Sequence, residues 1–181
     1  MKNETAAGRR SSAGASRVLG IDPGLAKVGW GIVDEQAGRL TSIACGVIKT
    51  SSGTSHCVRL ETIHAELTRI IEEFRPMVAA IEEVFQGKSV RSALLAGEGR
   101  GVCILAAAQR QLKVHEYPAT VVKLAVTGNG RAAKVQVQSM IDRLLGPARD
   151  SDSLDASDAL AVALTHIQRC GSVRAGTLVL R

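Results

Sequence analysis

The feature that most constrains the fold is the stretch of residues 17–31, which reads RVLGIDPGLAKVGWG. A short apolar run ends on Asp22, and Pro23 and Gly24 then turn the backbone directly after the carboxylate. A second β-rich run follows, so the pattern predicts strand, acid, tight turn and strand. A carboxylate at the end of a buried strand is costly unless a cation or hydrogen bonds compensate it. Asp before Pro-Gly is also a common turn residue, so this acid alone does not define a site.

Composition limits the class of protein. The chain of 181 residues is long enough for one domain, and 45% hydrophobic but only 2% aromatic residues make its core aliphatic. The net charge of +6 favours a nucleic-acid partner without proving one. The four cysteines have no metal-ligand spacing, and the sequence shows neither an apolar run of membrane-spanning length nor a secretory signal. These features predict a cytoplasmic protein with reduced thiols and no membrane contact.

Hydrophobic periodicity predicts an α/β domain. Residues 17–50 read as three strands of an antiparallel meander, with Gly38 in a hairpin turn. Next come a helix over residues 58–74 and a strand that ends on Glu82. The rest of the chain predicts a long buried helix, a short strand and three further helices: 89–111, 113–117, a helix opened by Pro118, 132–145 and 155–168. Because helices separate the later strands, we expect parallel crossovers after an antiparallel start.

The two ends of the chain lack this periodicity. We predict a disordered basic tail over residues 1–16, a folded domain over 17–168 and a C-terminal tail over 169–181. Inside the helix predicted for residues 89–111, three glycines (Gly97, Gly99 and Gly101) each cost about 1 kcal/mol relative to alanine. A helix with three such residues needs close backbone approach to a neighbour, or a bend.

Four acids occupy predicted strand and helix ends. Asp22 ends the first strand and Glu82 the fourth, while Asp155 and Asp158 share one face at the start of the last helix. If the first and fourth strands are parallel neighbours, Asp22 and Glu82 meet, and the helix adds the other two. Carboxylates forced together repel unless a cation joins them, and oxygen ligands without Cys or His select Mg²⁺ or Mn²⁺. Each acid alone is better explained as a turn, cap or solvated strand end, but together they favour a metal site.

At these residues the sequence resembles the RuvC family of Holliday junction resolvases. The resemblance covers residues 17–168 in order. It rests on LGIDPG (19–24), AIEEVF (80–85), GRGV (99–102), G-x-G (128–130), KVQVQ (134–138) and DASDALAVALTH (155–166). It implies an RNase H-like fold, with a mixed five-stranded sheet flanked by helices, in an enzyme of the bacterial cytoplasm.

The resemblance also implies a mechanism. Asp22, Glu82, Asp155 and Asp158 would bind two Mg²⁺ ions per subunit, with Mn²⁺ as a substitute, so that water attacks a phosphodiester and leaves 5′-phosphate and 3′-hydroxyl ends. A homodimer would nick two strands of a four-way DNA junction symmetrically in recombination and repair, with a RuvAB-type branch-migration motor as partner. The long central helix would help to form the dimer contact, which would account for its glycines.

Further residues are expected to contact DNA. By the resemblance, Phe85 would stack on an unpaired base near the crossover, and Lys123 and Lys134 would act on the scissile phosphate and the DNA backbone. Residues 86–134 hold eight lysines and arginines against two glutamates, so the middle of the chain is basic. From this stretch come four further candidate DNA-binding residues: Lys88, Arg91, Arg100 and Arg131. The alternative for each lysine is an ordinary solvated helix face.

Other functions stay open at this stage. An RNase H-like nuclease of this type could act on other structured nucleic acids. The segment over residues 21–32 also resembles a phosphate loop of actin-like phosphotransferases, although those proteins normally need two such domains and this chain allows one. A non-catalytic junction-binding protein of the same fold is a third alternative, against which the presence of all four acids argues.

Overall fold

A mixed five-stranded sheet forms the centre of the fold. The computed structural model describes residues 16–83, 89–146 and 154–174. The strands, in the spatial order β3-β2-β1-β4-β5, are β1 (Ser16–Asp22), β2 (Lys27–Gln36), β3 (Arg39–Lys49), β4 (Val78–Glu82) and β5 (Lys113–Tyr117). The first three pair antiparallel, whereas β4 is parallel to β1 and β5 is parallel to β4. This arrangement confirms the predicted mixed sheet.

The hairpin between β2 and β3 turns at Ala37 and Gly38, whose φ angles are 52° and 82°. Two consecutive residues with positive φ form the kind of tight loop that matches the right-handed twist of paired strands. Gly38 adopts this conformation without a steric cost, and its N–H donates a hydrogen bond to the Glu35 carboxylate. The predicted hairpin with Gly38 in its turn is confirmed.

Within the described residues, five helices cover the two faces of the sheet. They are α1 (His56–Phe74), α2 (Val90–Gln109), α3 (Ala119–Thr127), α4 (Lys134–Leu145) and α5 (Leu154–Arg174). Side chains along a strand point to alternate faces, so β1 serves two apolar cores. Leu19 and Ile21 pack in the core with α1 and α2, whereas Val18 packs in the opposite core with α3, α4 and α5. By the same alternation, Asp22 faces the α5 side of the sheet.

Helix α5 lies directly on β1 and β2 because these strands carry glycine where the helix crosses them. A Cβ built on Gly20 would lie 2.0 Å from the carbonyl oxygen of Ala159, and one on Gly29 would lie 2.0 Å from that of Asp155. At Gly31 the nearest atom would be Cδ2 of Leu160, at 2.7 Å. No side chain fits between the helix and these positions, so the glycines set the depth at which α5 docks.

Two helices depart from the predictions. The prediction that α2 is buried throughout is wrong, because α1 and the sheet cover only one of its faces and apolar residues on another face stay exposed. Helix α5 continues past the predicted end at Gln168 to Arg174, since no proline follows to stop it. The tail expected from residue 169 therefore begins as helix. At the other end, Ser16 already belongs to β1, and residues 1–15 lie outside the described residues.

Across the described part of the chain, no helix combines the length and the apolar composition needed to cross a bilayer.

Candidate active site

Strands β1 and β4 bring two acids side by side. Asp22 is the last residue of β1 and Glu82 the last of β4, and the two parallel strands pair with Ile21 opposite Ile81. Both acids belong to the alternate set of residues that faces α5. The predicted adjacency of the first and fourth strands is confirmed, and it places Asp22 next to Glu82 at one end of the sheet.

Helix α5 brings the other two acids to the same end. The main-chain oxygen of Asp155 lies against Gly29, which is the β2 partner of Asp22. Asp158 follows one helical turn later on the same face. Asp155 is in the first turn of α5, where the positive end of the helix dipole favours a negative charge. The close docking of α5 on glycine therefore also fixes where its two acids stand relative to Asp22.

The carboxylates in this region repel one another. Burial, followed by the charges of Glu82 and Asp158, raises the pKa of Asp22 to about 7, and Asp155 adds to the rise. Burial and the charge of Asp158 likewise raise the pKa of Glu82 to about 7. Because the charges of the other three acids all act on Asp22, the four side chains share one region of the molecule. Near neutral pH this region holds protons unless cations take their place.

Three lysines partly neutralise these acids. Lys134, the first residue of α4, places its Nζ 2.5 Å from Oδ2 of Asp158, and this hydrogen bond raises the pKa of the lysine. The Nζ of Lys27 lies 3.4 Å from Oδ2 of Asp155. The charge of Lys123 opposes the rise in the pKa of Glu82. The two lysines singled out from the sequence, Lys123 and Lys134, therefore lie beside the acids.

Sequence reasoning missed two contributors to this site. Lys27 stands in the same stretch as Asp22, but its partner Asp155 is far away in the chain and no local pattern links them. Gly29 has no functional side chain, yet its missing Cβ allows the main chain of Asp155 to pack directly against β2. The alternation of Gly29 and Gly31 in a β-rich run was the available signal, since glycine inside a strand marks close backbone approach.

A cysteine also lies beside Asp22 but does not add a ligand. Burial, and then the charge of Asp22, raises the pKa of the Cys103 thiol to about 12. The thiol therefore stays protonated near neutral pH, and a protonated thiol does not bind metal. The ligand atoms that this site offers are carboxylate oxygens.

This donor set fits a hard divalent cation, because oxygen ligands suit Mg²⁺ and Mn²⁺ and the crowded acids need positive charge. Within residues 16–83, 89–146 and 154–174, no three His, Cys, Asp or Glu side chains lie close enough together to enclose one ion. Asp158 is instead paired with Lys134. Metal binding here thus requires the carboxylates to draw together and Asp158 to exchange its lysine for the ion.

The remaining candidate DNA contacts fall into three groups. Phe85 and Lys88 lie outside the described residues. Arg91, in the first turn of α2, and Arg131, in the turn before α4, are both exposed. Arg100 forms an ion pair with Glu116 on β5. The ion pair occupies the Arg100 guanidinium in this structure, and the role of Arg100 as a DNA contact stays a prediction.

Solved structures with this architecture define the class of protein. The structure of Thermus thermophilus RuvC in complex with a Holliday junction substrate matches with a TM-score of 0.79 at 34% identity, over 87% of this chain and 97% of that chain. The yeast mitochondrial Holliday junction resolvase Ydc2 has the same fold, with a TM-score of 0.64 at 12% identity over 88% of this chain and 82% of that chain. The fold is therefore that of Holliday junction resolvases.

Sequence comparison then gives the family. The family profile described as crossover junction endodeoxyribonuclease RuvC matches residues 18–166. The RuvC of Methylocella silvestris is 45% identical over 85% of this chain and 87% of its own length, and that of Xanthobacter autotrophicus is 47% identical over 87% and 93%. The chain belongs to the RuvC family of endodeoxyribonucleases, whose members are metal-dependent. The predicted family and enzyme class are confirmed.

Proposed function

We propose that this chain resolves four-way DNA junctions in recombination and repair by cutting two strands symmetrically. The observation that carries the proposal is the meeting of Asp22, Glu82, Asp155 and Asp158 at one end of the sheet, in a chain that the RuvC family matches over residues 18–166. The similar Thermus thermophilus protein has a Holliday junction as its substrate in the solved complex. Water attacks the phosphodiester, and the products carry 5′-phosphate and 3′-hydroxyl ends.

The four acids are the proposed ligands of two Mg²⁺ ions per subunit, for which Mn²⁺ is a substitute. When bound, such a pair of ions activates the attacking water and stabilises the leaving oxygen. The contribution of the chain is to hold Asp22 and Glu82 partly buried and mutually repelling, which favours any cation that joins them. Since both have a pKa of about 7, protons compete with the metal, and metal affinity falls as the pH drops below neutral.

Lys123 and Lys134 are the proposed contacts to the scissile phosphate and its neighbours. Lys134 forms an ion pair with Asp158, and it becomes free to bind phosphate when Asp158 binds a cation instead. The exposed Arg91 and Arg131 extend the same role to phosphates further along the strands. Phe85 and Lys88 remain proposed DNA contacts on the basis of their sequence alone.

The exposed face of α2 is the proposed homodimer interface. Along it, Val90, Leu94 and Leu105 leave 78%, 64% and 50% of their surface exposed. Gly97 and Gly101 lie on the same stripe, and a Cβ built on either would meet no atom within 4 Å. An apolar stripe of this kind marks an interaction surface, and the small residues at its centre allow two helices to approach closely. The two-fold symmetry of such a dimer matches two symmetric cuts.

Two further assignments rest on family membership. We assign a RuvAB-type branch-migration motor as the partner on the junction and the bacterial cytoplasm as the location. The support for the latter is that the similar RuvC proteins come from bacteria.

Cleavage of a synthetic four-way junction tests the proposal. We expect paired nicks that require Mg²⁺ or Mn²⁺ and that stop when a chelator is added. The substitution Asp22→Asn keeps the shape but removes the charge, and it should slow single-turnover cleavage on the order of a thousandfold. Asp142→Asn, which alters an exposed acid on α4, is the matched control and should leave cleavage unchanged.

The alternative functions are separate arms of the same test. Undiminished cleavage by the Asp22→Asn variant would sink the proposed chemistry. Faster cutting of an RNA–DNA hybrid than of a junction would favour an RNase H-like activity. ATP turnover in the absence of DNA would favour a phosphotransferase, and tight junction binding without metal-dependent cleavage would indicate a binding protein.

A further inference from the structure

On its buried side, α2 contacts the turn that follows Asp22. A Cβ built on Gly99 would lie 2.9 Å from both the carbonyl carbon and the carbonyl oxygen of Gly24, and 3.1 Å from the nitrogen of Leu25. One helical turn later, Cys103 is fully buried, and the charge of Asp22 acts on its thiol. The main chain of α2 therefore rests on the turn through glycine, with no side chain between them.

Hydrogen bonds from Thr50 also hold the turn. The hydroxyl of Thr50, just after β3, donates a hydrogen bond of 2.6 Å to the carbonyl of Leu25, and the Thr50 N–H donates one of 3.0 Å to the carbonyl of Ala26. Within the turn, a Cβ on Gly24 would lie 2.6 Å from the carbonyl oxygen of Lys27. These hydrogen bonds tie the turn to the end of β3, so a change in the position of α2 presses on a turn that is held in place.

We propose that Gly99 is a positioning residue for the metal site: its contact with Gly24 holds the turn, and thereby Asp22, at the place where Asp22 and Glu82 share a cation. The inference rests on the proposed function, because it assigns Gly99 a role in that reaction. Gly99 differs from Gly97 and Gly101, which face open space on the proposed dimer face. One helix thus carries the subunit contact on one side and supports the catalytic turn on the other.

The substitution Gly99→Ala isolates this contact. In a helix alanine is favoured over glycine by about 1 kcal/mol, so the effect on the helix itself is stabilising. The added Cβ meets main-chain atoms of Gly24, which cannot rotate away as a side chain could. Gly53→Ala is the matched control, since a Cβ there meets only the Ser51 hydroxyl at 3.5 Å, and it should leave cleavage unchanged.

We expect the Gly99→Ala variant to fold, to sediment as the wild type does and to bind a junction in chelator with unchanged affinity. Its single-turnover cleavage should fall on the order of tenfold to a hundredfold, because small misplacement of a catalytic group has effects of that size. The Mg²⁺ concentration for half-maximal cleavage should rise, and the increase in Tm that Mg²⁺ causes in the wild type should shrink.

An unchanged Mg²⁺ requirement and an unchanged cleavage rate in Gly99→Ala would overturn the inference. A loss of cleavage that occurs only because the variant no longer forms the dimer would also overturn it. If the variant does not fold, Cys103→Ala decides, because Cys103 belongs to the same buried core as Leu25 of the turn and the change removes packing there without a clash. Cys103→Ala should raise the Mg²⁺ requirement severalfold, and no change would overturn the inference. If the wild type cuts no junction, the proposed function fails, whereas the Mg²⁺-dependent Tm of these variants still tests the positioning of Asp22.

Discussion

Asp22 and Glu82 keep their protons at a pH where exposed carboxylates are ionised, and this follows first from burial and then from their acidic neighbours. Raised pKa values link protonation to folding. The free energy of unfolding is therefore highest at a pH below the ordinary pKa values of 3.8 and 4.5, where both carboxyls are protonated. This part of the stability is lost as the pH rises through about 7. Above that pH the metal-free protein holds both carboxylates ionised in a partly buried, crowded place, at a cost on the order of 3 to 4 kcal/mol for each.

The first prediction concerns this cost. In chelator at pH 8, Asp22→Asn should be more stable to unfolding than the wild type by roughly 2 kcal/mol, because the amide is neutral at every pH. Near pH 4 the two proteins should have similar stability, since Asp22 is then protonated in the folded wild type. Urea denaturation across this pH range measures the difference.

Asp142→Asn again serves as the control, and its stability should follow the wild-type pH dependence because Asp142 is exposed. Parallel stability curves for the wild type and Asp22→Asn would mean that Asp22 is not held in a strained, buried environment.

At the scale of elements, local patterns predicted the order of strands and helices well. Strand β5 was predicted with its observed limits, and the β2–β3 hairpin turns at Gly38 as expected. Local patterns did not predict the exposed face of α2, because an apolar helix shows the same composition whether it is covered by its own chain or by another molecule. Only the family resemblance, which implied a dimer contact on this helix, pointed to it. The length of α5 was underestimated because residues 169–174 lack apolar periodicity.

The docking of α5 on glycine gives the second prediction. Gly20→Ala places a Cβ against the main chain at Ala159 and should cost roughly 3 kcal/mol or more, since neither backbone can yield. Gly31→Ala meets the side chain of Leu160, which can change rotamer, and should cost roughly 1 kcal/mol. Urea unfolding of both variants measures the costs.

The prediction is that Gly20→Ala lowers the free energy of unfolding more than Gly31→Ala does. Equal costs at positions 20 and 31 would show that α5 adjusts as a rigid body, and that the depth of docking does not depend on where the helix main chain touches the sheet.

The candidate site was predictable in its acids and less so in its surroundings. Asp22 and Glu82 could be paired because residues at the ends of adjacent parallel strands lie together, and that adjacency is a frequent topology. The pairing of Lys27 with Asp155 and the contact of Gly99 with Gly24 depend on how α5 and α2 pack. Such packing is set by the whole chain and leaves no short sequence pattern.

At the scale of the whole molecule, the apolar stripe on α2 gives the third prediction. Leu94→Glu places a charge in the centre of the proposed dimer contact, and burying an unpaired charge is costly. We expect the dimer to weaken by at least about tenfold, which corresponds to roughly 1.4 kcal/mol. Sedimentation at a series of protein concentrations measures the change.

Met77→Glu is the control, because Met77 is a similarly exposed apolar residue outside α2. It should leave the dimer unchanged. Leu94→Glu should still fold and unfold cooperatively as a monomer, with a Tm that no longer depends on protein concentration. A variant that stays dimeric would place the subunit contact on another surface.

The connection of the proposed site to α5 has a consequence for synthesis in the cell. Two of the four proposed ligands, Asp155 and Asp158, belong to the helix that leaves the ribosome last among the described elements. A nascent chain holding only Asp22 and Glu82 lacks half of its cation ligands, and α5 must still settle on Gly20 and Gly29. A chain whose helix α5 has not yet left the ribosome and docked on the sheet therefore lacks a complete proposed metal site.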